Sequence, residues 1–370
     1  MPAPAKPLGP TEVIAPAFER AKAQLFAPFR WGFWWRMAIV ALFAGEIGGG
    51  GFNINIPSGG FPPRTGRGDH LLMLLQGENP LFNPRFLQWI VALLAAIVFL
   101  FFVFLYFHSV FRFILFDSVI AGRCSIRQTW GNRSSVGTRF FVWLIFYQLI
   151  LLTALAGLVA FPLYSWWRAG VFQHPEQHLG LLLGQGLVLF LAVAVLLIAA
   201  AVISLVARDF LLPQMALENL SIGEAWNRFR PQVLAEKGSM AGYILLKVVL
   251  NIAVSIALGI VAFIWILVLI VPAIIVGAIL VASSAGTHGP ALVAVAVVLG
   301  CVGFALLVLW FFVFMLLWVP AAVFFQSYAL YYFGSRYPAL AVLLWPDSPA
   351  APPVITPGPS SDLPPIPTPA

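Results

Sequence analysis

The sequence predicts an all-α integral membrane protein: a six-span helical bundle of three consecutive hairpins, each preceded by an amphipathic helix at the cytoplasmic interface. Three observations carry this reading. Hydrophobic residues make up 61% of the 370 residues, charged ones only 9%, and the mean hydropathy is +0.97. A soluble domain carries about 25% charged residues, so this chain cannot clothe itself in a water-facing surface. Second, Arg112, Leu115, Ser125, Ile126 and Trp130 recur at identical spacing as Arg208, Leu211, Ser221, Ile222 and Trp226. Each copy leaves an apolar run, passes an Arg and reaches a Ser-Ile-x-x-x-Trp connector before the next apolar run. Third, with six spans, fifteen Lys and Arg fall on one side of the membrane and four on the other. That asymmetry places both termini in the cytoplasm and the protein in the cell membrane. The net charge of +7 is thus a topology signal, and no nucleic-acid partner is expected. Cys124 and Cys301 lie far apart, with no disulfide or metal spacing.

Residues 1–15 are rich in Pro and Ala and read as a flexible N-terminus; lacking the apolar core of a signal peptide, they leave the first span as an uncleaved anchor. From Pro16 to Ala27, Phe18, Ala21 and Leu25 fall on one face with Glu19, Arg20 and Lys22 opposite. This predicts a helix lying in the membrane interface. Trp31, Phe33, Trp34 and Trp35 form an aromatic belt where the chain enters the bilayer. The first span, 33–51, ends at Glu46 and the Gly48–Gly51 run, which is too flexible to continue a helix. A Gly-, Pro- and Asn-rich loop follows to Phe86, with an apolar patch at Leu71–Leu75. The second span, 87–110, continues as helix through Arg112 to Val119. Ser125 with Gln128, and Ser221 with Glu224, fit capping boxes. Ile126 and Trp130, like Ile222 and Trp226, share a helix face.

Spans three and four are 140–162 and 181–206. The fifth is 241–271; Pro272 to Ser284 reads as its kinked continuation, two separate spans being the competing division. The sixth is 291–318, followed by an aromatic segment, Phe324–Phe333. The whole transmembrane domain occupies 16–340. The tail, 346–370, holds 10 prolines in 25 residues and is expected to be extended and disordered. Its Pro349–Pro352 and Pro364–Pro367 spacings could recruit a partner, an inert tail being the competing reading.

Pro28-Phe29 entering the first span, Gly48–Gly51 with Phe52-Asn53, the Ser-Ile-x-x-x-Trp connectors and Phe325-Gln326-Ser327-Tyr328-Ala329-Leu330 resemble uncharacterised prokaryotic multi-pass proteins. These are similar to the membrane domain found beside some glycerophosphoryl diester phosphodiesterases. In those two-part enzymes a separate soluble domain carries the catalytic His, Glu and Asp. The resemblance therefore implies a membrane module without the catalytic domain.

Lys247, Asn251, Ser255 and Gly259 recur every fourth residue and share one face of the fifth span. A charge within a span is costly and turns to the bundle interior or a water-filled cavity. The stripe reads as a polar pathway with Glu46 as counter-charge, or as a helix-packing face, with Lys247 close enough to the cytoplasmic end to snorkel. Arg123, Arg127, Arg133 and Arg139, then Arg228, Arg230 and Lys237, could hold anionic lipid headgroups or a protein partner on the cytoplasmic face; alternatively they only set orientation. Among these, Arg127, Arg133, Arg228 and Arg230 are the candidate contacts. His70, His174, His178 and His288 lie in outer loops. His174 and His178 have the spacing of a helical metal pair, but Pro175 opposes a regular helix and no Glu follows the first His.

No phosphate loop, Ser-His-Asp set, thiol nucleophile or carboxylate pair emerges, so neither enzymatic activity nor a cofactor or metal is expected. The sequence reads as a non-catalytic membrane protein, an envelope scaffold or a subunit of a membrane assembly. The competing reading is a transporter or lipid-handling protein working through the stripe in the fifth span.

Overall fold

The computed structural model describes residues 6–47, 84–172, 174–283 and 290–346. Gly48–Gly51, the Leu71–Leu75 patch, His70, His288 and the proline-rich tail from residue 347 lie outside them. Among the described residues the regular structure is helical, and pairing of extended backbone is limited to an isolated bridge between Phe26 and Phe29. The chain runs through α1 (Ile14–Phe26), α2 (Trp31–Phe43), α3 (Pro84–Ala121), α4 (Ile126–Arg168), α5 (Leu179–Val206), α6 (Leu212–Glu218), α7 (Ile222–Ala235), α8 (Lys237–Ser283), α9 (Pro290–Gly334) and α10 (Pro338–Leu344). A 3₁₀ turn (Pro175–His178) precedes α5, and a π-helical segment (Ala207–Leu211) joins α5 to α6.

Among the described residues five stretches are long and apolar enough to cross a bilayer: Leu87–Ala121, Ile126–Arg168, Glu176–Glu218, Lys237–Ile279 and Ala296–Gly334. The protein is a multi-pass, all-α membrane bundle. α2 has 13 residues, about 20 Å at 1.5 Å per residue, against the roughly 30 Å of a hydrocarbon core. It stops short of the 33–51 span because Gly45 takes φ +72°, a left-handed conformation that closes a helix and suits glycine. Residues 237–283 form one unbroken helix of 47 residues, with Pro272 inside it.

A membrane crossing needs about 20 residues. α3, α4, α8 and α9 have 38, 43, 47 and 45. The surplus builds a packed end. There the C-terminal half of α3, the start of α4, the α5–α7 segment, the start of α8 and the C-terminal half of α9 bury one continuous core. Its rings stack tightly: Phe210 on Phe229 at 4.9 Å and Tyr243 on Tyr332 at 4.3 Å between centroids. α3 and α4 approach closely because Gly137 leaves no side chain in the way. A Cβ there would sit 2.8 Å from Val110 Cγ2, and Ser109 Oγ donates to the Gly137 carbonyl at 2.5 Å. At the other end the helices expose their apolar surface: Trp89 is 75%, Phe190 69% and Phe304 69% exposed. In a hydrocarbon solvent that surface has no reason to be covered by protein.

α1 turns its apolar face to the protein. Val13, Ala17, Ala21 and Leu25 are buried against the protein, while Phe18 is exposed. Arg20, expected to face water, donates to the carbonyls of Val119 and Ile120 at 3.1 and 2.9 Å, and Gln24 adds a bond to Val119 at 2.5 Å. These are terminal carbonyls of α3 that have no partner within their own helix. Arg336 is a second clasp, bonding Glu236, the Leu8 carbonyl and Ser239.

The two connectors differ. Ser221 and Glu224 form a complete capping box: Ser221 N–H donates to Glu224 Oε2 at 2.7 Å, and Glu224 N–H donates to Ser221 Oγ at 3.4 Å. Ser125 makes no cap bond; its hydroxyl lies 3.4 Å from that of Thr129. Trp130 packs among Tyr106, Phe107 and Phe111, whereas Trp226 is 46% exposed and Phe229 fills the core in that copy.

Candidate functional site: a buried ionic network

The chemistry of the described residues concentrates where the C-terminal part of α3, the π-helical segment after α5 and the first turns of α8 meet the residue just beyond α2; five charged groups there are each less than a tenth exposed: Glu46, Arg112, Arg208, Asp209 and Lys247. The π-helical segment brings two of them inward together. Pro213 has no N–H to return to the Asp209 carbonyl. The ladder slips to five-residue bonds, Leu212 N–H reaching the Ala207 carbonyl. The extra residue per turn lets the adjacent Arg208 and Asp209 both face the interior; such bulges recur at functional sites.

Glu46 lies just beyond α2. Its Oε1 is 3.6 Å from an Arg112 nitrogen and 3.5 Å from Arg208 Nη1. The two arginines that occupy equivalent places in the internal repeat thus converge on one carboxylate. Asp209 accepts from Lys247 Nζ at 2.6 Å and Tyr243 OH at 2.9 Å, both at Oδ2, and its Oδ1 lies 3.5 Å from Arg208 Nε. Arg112 Nε donates to His108 Nε2 at 3.0 Å, and His108 Nδ1 lies 3.1 Å from the Phe43 carbonyl. Nε2 must therefore be the accepting nitrogen and Nδ1 the protonated one, which makes His108 a neutral imidazole spanning two helices. Buried ions need partners of this kind, because the desolvation of each costs several kcal/mol.

The polar stripe divides along its length. Lys247 and Asn251 are buried, Ser255 is half-buried, and Gly259 is exposed, with nothing within 4 Å of the place where its Cβ would be. The direct partner of Lys247 is Asp209, not Glu46, which serves the arginines. Asp209 and His108 were not singled out from the sequence. Asp209 had a signal: it is a second charge beside Arg208 at the end of an apolar run. Lys247 lines none of three grooves of about 770, 570 and 570 Å³ among the described residues.

The cationic candidates also divide. Arg133 is internal, gripping Asp117 through two nitrogens at 2.7 and 2.9 Å and reaching the Ala216 carbonyl. Arg228 pairs with Glu218, which also accepts from Tyr337 OH. Burial and that carboxylate push the Tyr337 phenol above its ordinary range. Arg127 and Arg230 are exposed, and Arg127 lines an open cavity with Arg36, Gln128 and Asn132. His178 ends the 3₁₀ turn and His174 immediately precedes it, with His174 Nδ1 3.7 Å from Glu176. Among the described residues no three His, Cys, Asp or Glu gather as a metal site. Cys124 is buried beside Ser118, and burial pushes its thiol pKa up, which disfavours the reactive thiolate.

No curated protein and no solved structure matches the chain. A family model does, over residues 8–343, which takes in every described helix except the final residue of α10. A multi-pass helical protein with its ionic network inside the bundle, this chain belongs to the family of unknown function DUF7544.

Proposed function

We propose that the protein is a non-catalytic integral membrane module, an envelope scaffold or a subunit of a membrane assembly. The observation that carries this reading is the enclosure of the ionic network. Every one of its five charges has an opposite charge within 3.6 Å, supplied by another part of the same chain. Groups engaged in this way hold helices in register instead of meeting a substrate. On this reading the packed end faces the cytoplasm, where the basic connectors lie.

Six crossings fit the same picture. Glu46 is level with Arg112, whereas α3 begins at Pro84, about 42 Å away along that helix. The resemblance of the connectors and of residues 325–330 to the membrane part of glycerophosphoryl diester phosphodiesterases is in keeping with a module that works beside a partner.

The experiment is the size and composition of the protein extracted in mild detergent. A stoichiometric complex well above the 40.4 kDa of one chain supports the module. A lone chain that moves a solute across proteoliposomes, with the flux lost in Lys247→Met, would favour the transporter reading. One observation speaks for that second reading: the stripe runs from buried Lys247 through half-buried Ser255 to exposed Gly259, at mid-length of α8.

A further inference from the structure

A groove between α1, α8 and α9 holds chemistry that the ionic network does not use. It encloses about 570 Å³, within the roughly 300–1,000 Å³ of ligand sites. Leu250, Val254 and Leu258 form one wall, Leu316, Leu317 and Pro320 the other. Pro320 denies the Leu316 carbonyl its usual intrahelical partner, which loosens α9 at this wall. Water gains little from such a slot, whereas a hydrocarbon chain fills it without desolvating any polar group.

The mouth is built by α1. Phe18, Lys22 and Phe26 recur every fourth residue and share a face, and all three line the groove. Phe18 is 57% and Phe26 56% exposed, with Phe29 and Trp31 exposed beside them. Exposed aromatic rings of this density belong at the headgroup level of a bilayer. Lys22 is the one charged residue in the lining, and none of the ion pairs among the described residues involves it. A lysine in this place can lay its alkyl stem along the apolar wall and turn its ammonium toward the interface.

We infer that this groove binds one anionic glycerophospholipid, an acyl chain between α8 and α9 and the phosphate on Lys22. The apolar slot selects for a lipid, and the uncompensated cation at its mouth selects for net negative charge. The inference stands whether the protein is a scaffold or a transporter.

The test is native mass spectrometry of the full chain released from vesicles of equal parts phosphatidylglycerol and phosphatidylcholine. The parent protein retains one phosphatidylglycerol in preference to phosphatidylcholine. Lys22→Gln, an exposed substitution that leaves the fold intact, lowers that preference about fivefold while lipid is still retained. Val313→Trp, which fills the groove, removes both lipids. Val261→Trp, on α8 surface that is 46% exposed and outside the groove, changes neither. An unchanged lipid ratio in Lys22→Gln overturns the inference, as does Val313→Trp retaining as much lipid as Val261→Trp. Loss of phosphatidylglycerol and phosphatidylcholine preference alike in the parent shows an unselective surface and overturns it equally.

Discussion

The two ends of these helices are made of the same residue types and are put together by different physics. At the packed end Phe210, Tyr243 and Phe333 are buried among other rings and charges are held in pairs. At the far end Phe99, Phe190 and Phe263 are more than 60% exposed. Apolar burial drives association only where the alternative is water. In lipid it is polar pairing, close backbone approach and helix-end capping that hold helices together, and those devices sit at the packed end.

Breaking the network should give the largest effect. Among its described members are three cations, Arg112, Arg208 and Lys247, and two carboxylates, Glu46 and Asp209. Losing a carboxylate strands more charge than losing a cation. Asp209→Asn is expected to cost about 3–5 kcal/mol, measured as unfolding in detergent, and Lys247→Met distinctly less. Equal costs would mean that charge balance is not what the network supplies.

The glycines sharpen the contrast. Gly137→Ala forces the added methyl into Val110 where α3 and α4 cross, and about 1–3 kcal/mol of stability should be lost. Gly259→Ala meets open space and improves helix propensity by roughly 0.5–1 kcal/mol. A stripe that worked as a packing face along its whole length would reverse the second sign.

The connectors offer a smaller effect, and a pH-dependent one. The Ser221 backbone N–H, then its hydroxyl, hold the Glu224 carboxyl below the usual glutamate range. A depressed folded-state value means that the cap's contribution is present above the ordinary glutamate pKa and lost as pH falls through the lowered one. The protection of the amides at the start of α7 against hydrogen exchange, relative to their intrinsic rates at the same pH, should therefore fall on acidification. The start of α4, with neutral Gln128 in the matching place, should not respond. Smallest of all, Phe190→Leu at the exposed end should change stability by no more than about 0.5 kcal/mol.

Much of the fold was legible because length and apolarity announce a span, and Pro272 alone does not end an apolar helix that neighbours support. The repeat was legible too, and it located the two arginines that meet on Glu46. What it could not convey was convergence. Spacing within one helix showed Lys247 with Asn251, but the partner of Lys247 is Asp209, which the π-helical slip before Pro213 turns inward. The role of α1 was hidden for a related reason. An amphipathic pattern is the same whether the apolar face meets lipid or protein, and only the carbonyls of Val119 and Ile120 reveal that Arg20 points inward. The two connectors looked alike because Gln and Glu both fit the capping pattern, yet only the carboxylate closes it.

The enclosure of Lys247 can be read directly, since the chain has just four lysines, Lys6, Lys22, Lys237 and Lys247. The decisive measurement is modification of the folded protein in a bilayer by a small water-soluble amine reagent, mapped by mass spectrometry. Lys22 and Lys237 should react, and Lys247 should stay unmodified until the protein is unfolded. Modification of Lys247 at a rate comparable to theirs would contradict that enclosure, and would make the stripe on α8 a water-reached path.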